Sequence, residues 1–162
     1  MMEDLNETNA LVTGGSRGIG RAIVGGLAAR GASVVFGYVA DEKSAADVVR
    51  SAETTGATVS ALRADMADPD AVRELVHVAA DRLGGLNVLI NNAAVVPPPT
   101  SIAQTTDEEY DRVMAVNARG VFVAMREAAL RMRDGGCIVN ISSVNTVLPS
   151  PGVAALSTAG WE

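Results

Sequence analysis

Apolar positions along the chain alternate between short continuous runs and longer stretches with helical spacing. The short runs predict five strands, at residues 10–13, 33–38, 58–62, 87–90 and 137–141. The longer stretches predict four helices, at residues 19–30, 43–55, 69–83 and 107–133, the last with a break near Gly120. Strands that are apolar throughout are typical of parallel sheets covered on both faces, so the pattern predicts a succession of βαβ units.

Residues with strong preferences for helix ends support these boundaries. Asp68 before Pro69 predicts an N-cap with proline in the first turn, and Thr106 followed by Glu109 predicts a capping box. Four glycines stand where predicted helices should end: Gly31, Gly56, Gly84 and Gly135.

The alternation of elements also predicts a topology. Right-handed crossovers wind such units into an α/β fold of the Rossmann-like, doubly wound type, with three α/β/α layers and strand order 3-2-1-4-5. No linker divides the chain, so we expect residues 1–162 to form a single domain. Ligand should bind beyond the carboxyl ends of the first and fourth strands, where the strand order reverses.

Composition and charge argue against several classes of function. The chain has 13 basic and 19 acidic residues without long runs of one sign, which argues against a nucleic-acid partner. Residues 1–9 lack the pattern of a signal peptide, and no apolar run approaches the ~20 residues of a membrane span. The single cysteine, Cys137, and single histidine, His77, predict neither a metal site nor a disulfide framework, and a cytoplasmic location fits them best. We expect Cys137 to be a buried structural thiol and assign His77 no role.

A glycine-rich segment between the first strand and the first helix carries the clearest chemistry. Gly14 suits a tight turn, while Gly18 and Gly20 allow the backbone to approach a pyrophosphate and the helix to pack on the sheet. A glycine-rich helix entry without any ligand is the alternative. As a cofactor loop, the segment would use Thr13, Gly14, Ser16, Arg17, Gly18, Ile19 and Gly20.

The spacing of these glycines, G-x-x-x-G-x-G after threonine, resembles the short-chain dehydrogenase/reductase family. Later segments that match its motifs in order are Asp65-Met66, Asn91-Asn92-Ala93-Ala94, Asn117 and the strand ending in Ser143. One departure is Ala94, which replaces the final glycine of the family's Asn-Asn-Ala-Gly motif. The resemblance covers residues 9–159 and extends to members such as the 3-oxoacyl-acyl-carrier-protein reductases.

The resemblance implies roles for these residues. Ser143 would polarise a carbonyl oxygen and Asn117 would support a chain of water molecules, which makes them the catalytic candidates. Asp65, Met66, Asn91 and Ala93 would contact the cofactor. Each also has an ordinary structural alternative: Asp65 as a turn or cap residue, Asn91 as a loop residue, and Ser143 as the end of a strand.

The end of the second strand bears on the choice of cofactor. NAD enzymes of this architecture place an acid there to bind the ribose hydroxyl, but this chain has Tyr38. With Arg17 as a phosphate partner, NADP is the expected cofactor. NAD is the alternative, because Asp41 and Glu42 lie close by and could bind the hydroxyl or repel the phosphate.

The resemblance also points to a lost function. The family's catalytic tyrosine stands thirteen residues after the serine, and its lysine four residues further, where this chain has Leu156 and Gly160. Neither residue carries a proton or a cation, so general acid–base catalysis should be impaired. The remaining candidates, Tyr38, Tyr110 and Lys43, belong to other parts of the predicted fold.

Three hypotheses for function therefore stand. The first is an impaired NAD(P)-dependent oxidoreductase acting on a small carbonyl or alcohol substrate. The second is a catalytically dead module that binds NADP(H), or that associates with a second copy or an intact homologue. The third is a C-terminally truncated product without selected function, whose fifth strand would expose an uncovered apolar edge.

Overall fold

A parallel sheet forms the centre of the protein in the computed structural model, which describes residues 4–54, 56–148 and 151–159. In this part of the chain the sheet has five strands, in the order β3-β2-β1-β4-β5. The strands are β1 (Asn9–Val12), β2 (Ser33–Tyr38), β3 (Val59–Arg63), β4 (Leu86–Asn91) and β5 (Met132–Asn140). The predicted doubly wound fold and strand order are therefore confirmed.

Helices cover both faces of this sheet. They are α1 (Gly18–Ala28), α2 (Glu42–Glu53), α3 (Pro69–Leu83), α4 (Asp107–Met114), α5 (Val121–Ala129) and α6 (Ala154–Thr158). A π-helical turn, Ala115–Gly120, joins α4 to α5, and short 3₁₀ turns occur at Ile102–Gln104 and Val144–Thr146. The predicted break near Gly120 thus corresponds to a change of helical winding.

Alternate residues of β1, β2 and β4 serve two separate cores. Leu11, Val35 and Leu89 pack with α3 and α5 on one face. Val12 and Phe36 pack with α1 and α2 on the other. This two-sided burial explains why the strands are apolar throughout.

The predicted helix ends hold at three places. Asp68 caps α3 by accepting a hydrogen bond from the Asp70 amide, and Gly84 ends the same helix in the left-handed conformation. Thr106 and Glu109 form both hydrogen bonds of the predicted capping box.

The prediction for residues 130–136 is wrong. The helix ends at Ala129, and β5 begins at Met132 with an irregular register: Leu86 pairs with Met132, but Val88 pairs with Cys137. Gly135, with φ +78°, lies within this bulge and does not end a helix. Arg133 lies within the bulge and stabilises it. Its guanidinium donates two hydrogen bonds to the Gly84 carbonyl, at 3.2 and 2.8 Å.

Cys137 and His77 also differ from expectation. Cys137 is exposed, because one face of β5 is open to solvent; Val139 and Ile141 on that face are 41% and 39% exposed. His77 Nε2 lies 3.1 Å from Glu127 Oε2, a contact between α3 and α5. In the described part of the chain, no helix has the length and apolar character to cross a bilayer, and no three metal-ligating side chains cluster.

Candidate functional site

The glycine loop after β1 is packed so closely that side chains are excluded at Gly14, Gly15 and Gly20. A Cβ on Gly14, where φ is +68°, would lie 2.9 Å from Ala93 Cα. One on Gly20 would lie 2.2 Å from the Gly14 carbonyl oxygen. Gly18 also has a positive φ, +54°, but faces open space. The loop is therefore pressed against the end of β4 on one side and open on the other.

Side-chain hydrogen bonds join this loop to the end of β4. Thr13 Oγ1 accepts hydrogen bonds from the amides of Asn92 and Ala93, both at 3.0 Å. Asn92 Nδ2 donates in return to the carbonyls of Thr13, at 3.0 Å, and Gly14, at 3.1 Å. Thr13 is only 1% exposed, so its oxygen braces the loop from inside.

The open side of the loop suits an anion. Helix α1 begins at Gly18, with Arg17 as its N-cap, and the Arg17 side chain makes no capping hydrogen bond. The first turn carries no acidic residue, so the positive end of the helix dipole is not offset there. Within the loop, the Ser16 side chain is buried, whereas Ile19 is exposed and forms part of a neighbouring cavity.

Arg17 and Lys43 lie near Asp41, the acidic residue that follows β2. Tyr38 is half-buried at the strand end, and its carbonyl accepts a hydrogen bond from the Ala64 amide. The nearby acid Asp41 caps α2, accepting hydrogen bonds from the amide and the hydroxyl of Ser44 at 2.9 and 2.6 Å. These bonds, with smaller contributions from Arg17 and Lys43, lower the pKa of Asp41 below its ordinary value. The Asp41 carboxylate is thus occupied by its hydrogen bonds to the first turn of α2.

Asp65, in the loop after β3, has both carboxylate oxygens engaged. Oδ1 accepts a hydrogen bond from the Ala67 amide at 2.9 Å, and Oδ2 accepts one from Arg112 Nη1 at 3.1 Å. Partial burial acts to raise the pKa of Asp65, but these two bonds outweigh it and the pKa lies below its ordinary value. The neighbouring Met66 is 3% exposed and belongs to the core beside α3.

A cavity of about 460 Å³ lies beyond the carboxyl ends of β4 and β5. Its wall brings together Asn117, Ser143 and Leu156, which lie far apart in the sequence. Ser143 is half-buried and accepts a hydrogen bond from the Asn145 amide at 3.2 Å. The two catalytic candidates and the residue at the tyrosine position therefore share one cavity.

Asn117 acts as a brace on this cavity. It lies on the π-helical turn, a local winding often found at functional sites. Its Nδ2 donates to the Val95 carbonyl and its Oδ1 accepts from the Val95 amide, both at 2.9 Å. The side-chain amide thereby holds the segment after β4 in place.

Leu156 lies on α6 and is 9% exposed. Among the described residues that line the cavity, none carries a group that titrates: Asp, Glu, His, Lys, Arg, Tyr and Cys are all absent from the wall. Tyr110, 42% exposed on α4, is not part of it. Gly160, at the lysine position, lies outside the described residues.

Asn91 gives the cavity a polar side. It is 3% exposed, and its Nδ2 donates to Asn140 Oδ1 at 2.9 Å. Its Oδ1 is buried without a hydrogen-bond partner. A buried acceptor in this state costs about 1–3 kcal/mol, so a ligand that brings a donor would relieve the cost.

Known proteins are similar to this chain in sequence and in fold. The family model for short chain dehydrogenases matches residues 8–160. The chain belongs to the short-chain dehydrogenase family. Within it, the chain is 40% identical over 160 residues to a short-chain type dehydrogenase/reductase from Picea abies, an alignment that covers 93% of this chain and 59% of that protein. The 3-oxoacyl-acyl-carrier-protein reductase of Staphylococcus aureus is 35% identical over 148 residues, with 90% and 60% covered.

Structural similarity within the family is equally close. A short-chain dehydrogenase from Burkholderia cenocepacia J2315, in a crystal structure with NADP, superposes with a TM-score of 0.93 and 39% identity. The superposition covers 97% of this chain and 64% of that one. The chain thus spans roughly three-fifths of the length of these relatives. The resemblance inferred from the motifs is confirmed.

Three residues of the site were not among the sequence candidates. Asn92 joins the glycine loop to β4, while Arg112 and Arg119 contact the loop after β3. Asn92 stands within a recognised motif, which is a signal that could have found it. The arginines lie on an exposed helical face whose sequence shows only ordinary amphipathic spacing.

Proposed function

We propose that the chain binds NADP(H) across the carboxyl edge of its sheet, as a short-chain oxidoreductase in which proton transfer is impaired. The observation that carries the proposal is an intact glycine loop beside a cavity whose described wall holds Leu156 and no titrating group. Binding and chemistry use different parts of this edge. The chain should therefore bind cofactor well and turn over small carbonyl or alcohol substrates poorly.

The residues present fit a dinucleotide. The glycine loop and the start of α1 would hold the pyrophosphate, with Gly18 on the open side. Asp65 would receive the adenine together with the backbone of Met66, whose side chain lies in the core, while Asn91 and Ala93 would lie under the reactive half. The cofactor, when bound, supplies the hydride.

NADP is the preferred form for electrostatic reasons. Arg17 and Lys43 both lie close enough to Asp41 to lower its pKa, and Asp41 itself is engaged by Ser44. Two cations near the end of β2 would favour a ribose phosphate over a bare hydroxyl. The Burkholderia relative, crystallised with NADP, supports this choice.

We expect proton transfer, rather than hydride transfer, to be the impaired step. Ser143 could donate a hydrogen bond to a carbonyl oxygen in the cavity, and Asn117 would keep the cavity wall in shape. Leu156 cannot deliver the proton that the oxygen needs as an alcohol forms. Loss of a general acid costs about 10²- to 10⁴-fold in rate.

Titration of the purified chain with NADPH and NADH, followed by nicotinamide fluorescence and melting temperature, tests binding. We expect tighter binding of NADPH, and a loss of that preference in Arg17→Ala but not in Arg21→Ala, an exposed arginine on the same helix. A cooperatively melting protein that binds neither cofactor would refute the proposal. So would NADPH oxidation at an ordinary rate with a panel of ketones, since it would show that proton transfer is intact.

A second candidate is a module that pairs with another copy or with an intact homologue. The open face of β5, with Val139 and Ile141 exposed, favours it. Exposed Cys137 lies on the same face and allows a direct test by thiol cross-linking. Rapid cross-linking together with a dimeric mass in solution would support pairing with a second copy, whereas a monomeric mass would refute it; co-purification of a full-length homologue would test the other form of pairing. We place either activity in the cytoplasm and expect no nucleic-acid or membrane partner.

A further inference from the structure

The loop that joins β3 to α3 is held by three residues of one neighbouring helical rod, residues 107–129. Arg112 donates a hydrogen bond to Asp65 Oδ2 at 3.1 Å, and Arg119 donates one to the Ala67 carbonyl at 3.2 Å. Gly120, next to Arg119, lies so close to the loop that a Cβ there would be 2.3 Å from the Met66 carbonyl oxygen. Residues 65, 66 and 67 are thus each contacted by the rod.

This loop lies on the opposite side of the glycine loop from the cavity. β3 is the outer strand beside β2, whereas the cavity follows β4 and β5. A dinucleotide whose phosphates lie over the glycine loop and whose reactive ring enters the cavity must direct its adenosine half toward the loop after β3. The loop is therefore positioned to determine how well adenosine is received.

We propose that Arg112 and Arg119 are positioning residues that hold the loop at residues 65–67 in the shape that accepts the adenosine half of the cofactor. The inference rests on the proposed function, since it presupposes that a dinucleotide binds. It assigns the arginines no direct contact with the reacting atoms. Their effect is to order the loop before the cofactor arrives.

The chemistry of Asp65 is compatible with this role. Each carboxylate oxygen accepts one hydrogen bond within the protein and keeps a further lone pair for an amine donor. The two bonds also keep the carboxylate ionised, in line with its lowered pKa. Without Arg112, part of the free energy of cofactor binding would be needed to order the loop.

The same rod reaches the other half of the site. Asn117, between the two arginines, holds Val95 beside the cavity through two hydrogen bonds. The arginines should nevertheless affect only the adenosine half, because their contacts are confined to residues 65 and 67. Half-molecules of the cofactor can therefore separate the two effects.

Another surface ion pair provides a matched control. Arg131 donates to Asp81 at 2.9 Å, and its side chain is 38% exposed, against 45% for Arg112. Asp81 lies near the end of α3, far from the loop that precedes this helix. Loss of either arginine removes one exposed arginine–aspartate pair, but only Arg112 touches the loop.

The experiment compares Arg112→Met, Arg119→Met and Arg131→Met with the wild type. Dissociation constants are measured for NADPH, for 2′,5′-ADP as the adenosine half, and for reduced nicotinamide mononucleotide as the other half. We expect Arg112→Met and Arg119→Met to weaken NADPH and 2′,5′-ADP by about three- to tenfold, with the mononucleotide unchanged. Arg131→Met should leave all three constants unchanged, and Arg112→Lys should recover part of the loss.

The outcomes separate this inference from the proposed function. A wild type that binds NADPH, with Arg112→Met equal to Arg131→Met, would overturn the inference alone. Equal losses for both half-molecules would also overturn it, since they would indicate general destabilisation; melting temperatures of all variants check this directly. A wild type that binds neither NADPH nor 2′,5′-ADP would overturn the proposed function and the inference together.

Discussion

Replacing Gly20 with alanine tests the packing of the cofactor loop. Two of the four glycines of helix α1 have opposite surroundings: Gly20 is buried against Gly14, whereas Gly25 is exposed with nothing within 4 Å of an added Cβ. Alanine at Gly25 should stabilise the helix by about 0.5–1 kcal/mol, because glycine loses more backbone entropy on folding. Gly25→Ala is therefore the matched control.

At Gly20 the same gain is opposed by a steric cost. The new Cβ would lie 2.2 Å from the Gly14 carbonyl oxygen and 2.5 Å from Asn92 Nδ2. Neither atom can withdraw easily, because Nδ2 donates to the carbonyls of both Thr13 and Gly14. Overpacking of this kind costs about 1–3 kcal/mol, so a net destabilisation of about 1–2 kcal/mol is expected after the helix gain.

Urea unfolding and NADPH titration measure the two consequences. The two variants should differ by about 2 kcal/mol or more in free energy of unfolding, or several degrees in melting temperature. Gly20→Ala should also weaken NADPH binding at least tenfold, because the carbonyl it displaces belongs to the loop, whereas Gly25→Ala should bind as the wild type does. Equal stabilisation by both alanines would refute the close packing on which the site depends.

Three further predictions concern other parts of the molecule. The pKa of Glu127 lies below its ordinary value of 4.5, because Arg126 and His77 hydrogen-bond its carboxylate. Its contribution to stability should therefore be present above that value and be lost as the pH falls through the folded-state pKa. The difference in unfolding free energy between wild type and Glu127→Gln should shrink from pH 6 to pH 3, with exposed Glu74→Gln as control; a constant difference would contradict this. Leu156→Tyr combined with Gly160→Lys should raise ketone-dependent NADPH oxidation by about 10²- to 10⁴-fold over Leu156→Phe with Gly160→Lys, which lacks only the hydroxyl, and equal rates would contradict the assigned defect. Asp68→Ala should destabilise the protein by about 1 kcal/mol in urea unfolding, while Asp68→Asn, which retains a cap, should have little effect; a loss of the same size in both would contradict the capping role.

Much of the fold is determined by features that can be seen locally. β2 and α3 have the predicted bounds because apolar runs and end-capping residues lie side by side in the sequence. Once the elements alternate, the right-handed crossover rule leaves few strand orders to choose from. The order β3-β2-β1-β4-β5 could therefore be predicted without any long-range information.

The errors arose where distant contacts override local preference. Residues 130–133 continue a helical pattern, but Arg133 binds the Gly84 carbonyl and the chain joins the sheet three residues after α5 ends. His77 likewise is flanked in the sequence by Val76 and Val78, yet it meets Glu127 fifty positions away. Periodicity reports only which face of an element is apolar, so neither pairing could be predicted from it.

One part of the site, the glycine loop, is required by the fold, and another part, position 156, is not. This difference explains how cofactor binding can be retained while catalysis is impaired. The glycine loop is required by the fold itself, because Thr13, Asn92 and Gly20 hold β1, β4 and α1 together as they shape the loop. No comparable structural demand applies at position 156, where an apolar side chain packs with 9% exposure and needs no hydrogen-bond partner. A substitution that removes the proton donor can thus leave stability intact, whereas one that removes the cofactor loop cannot. Cofactor binding should therefore survive as long as the chain folds, whatever its rate of turnover.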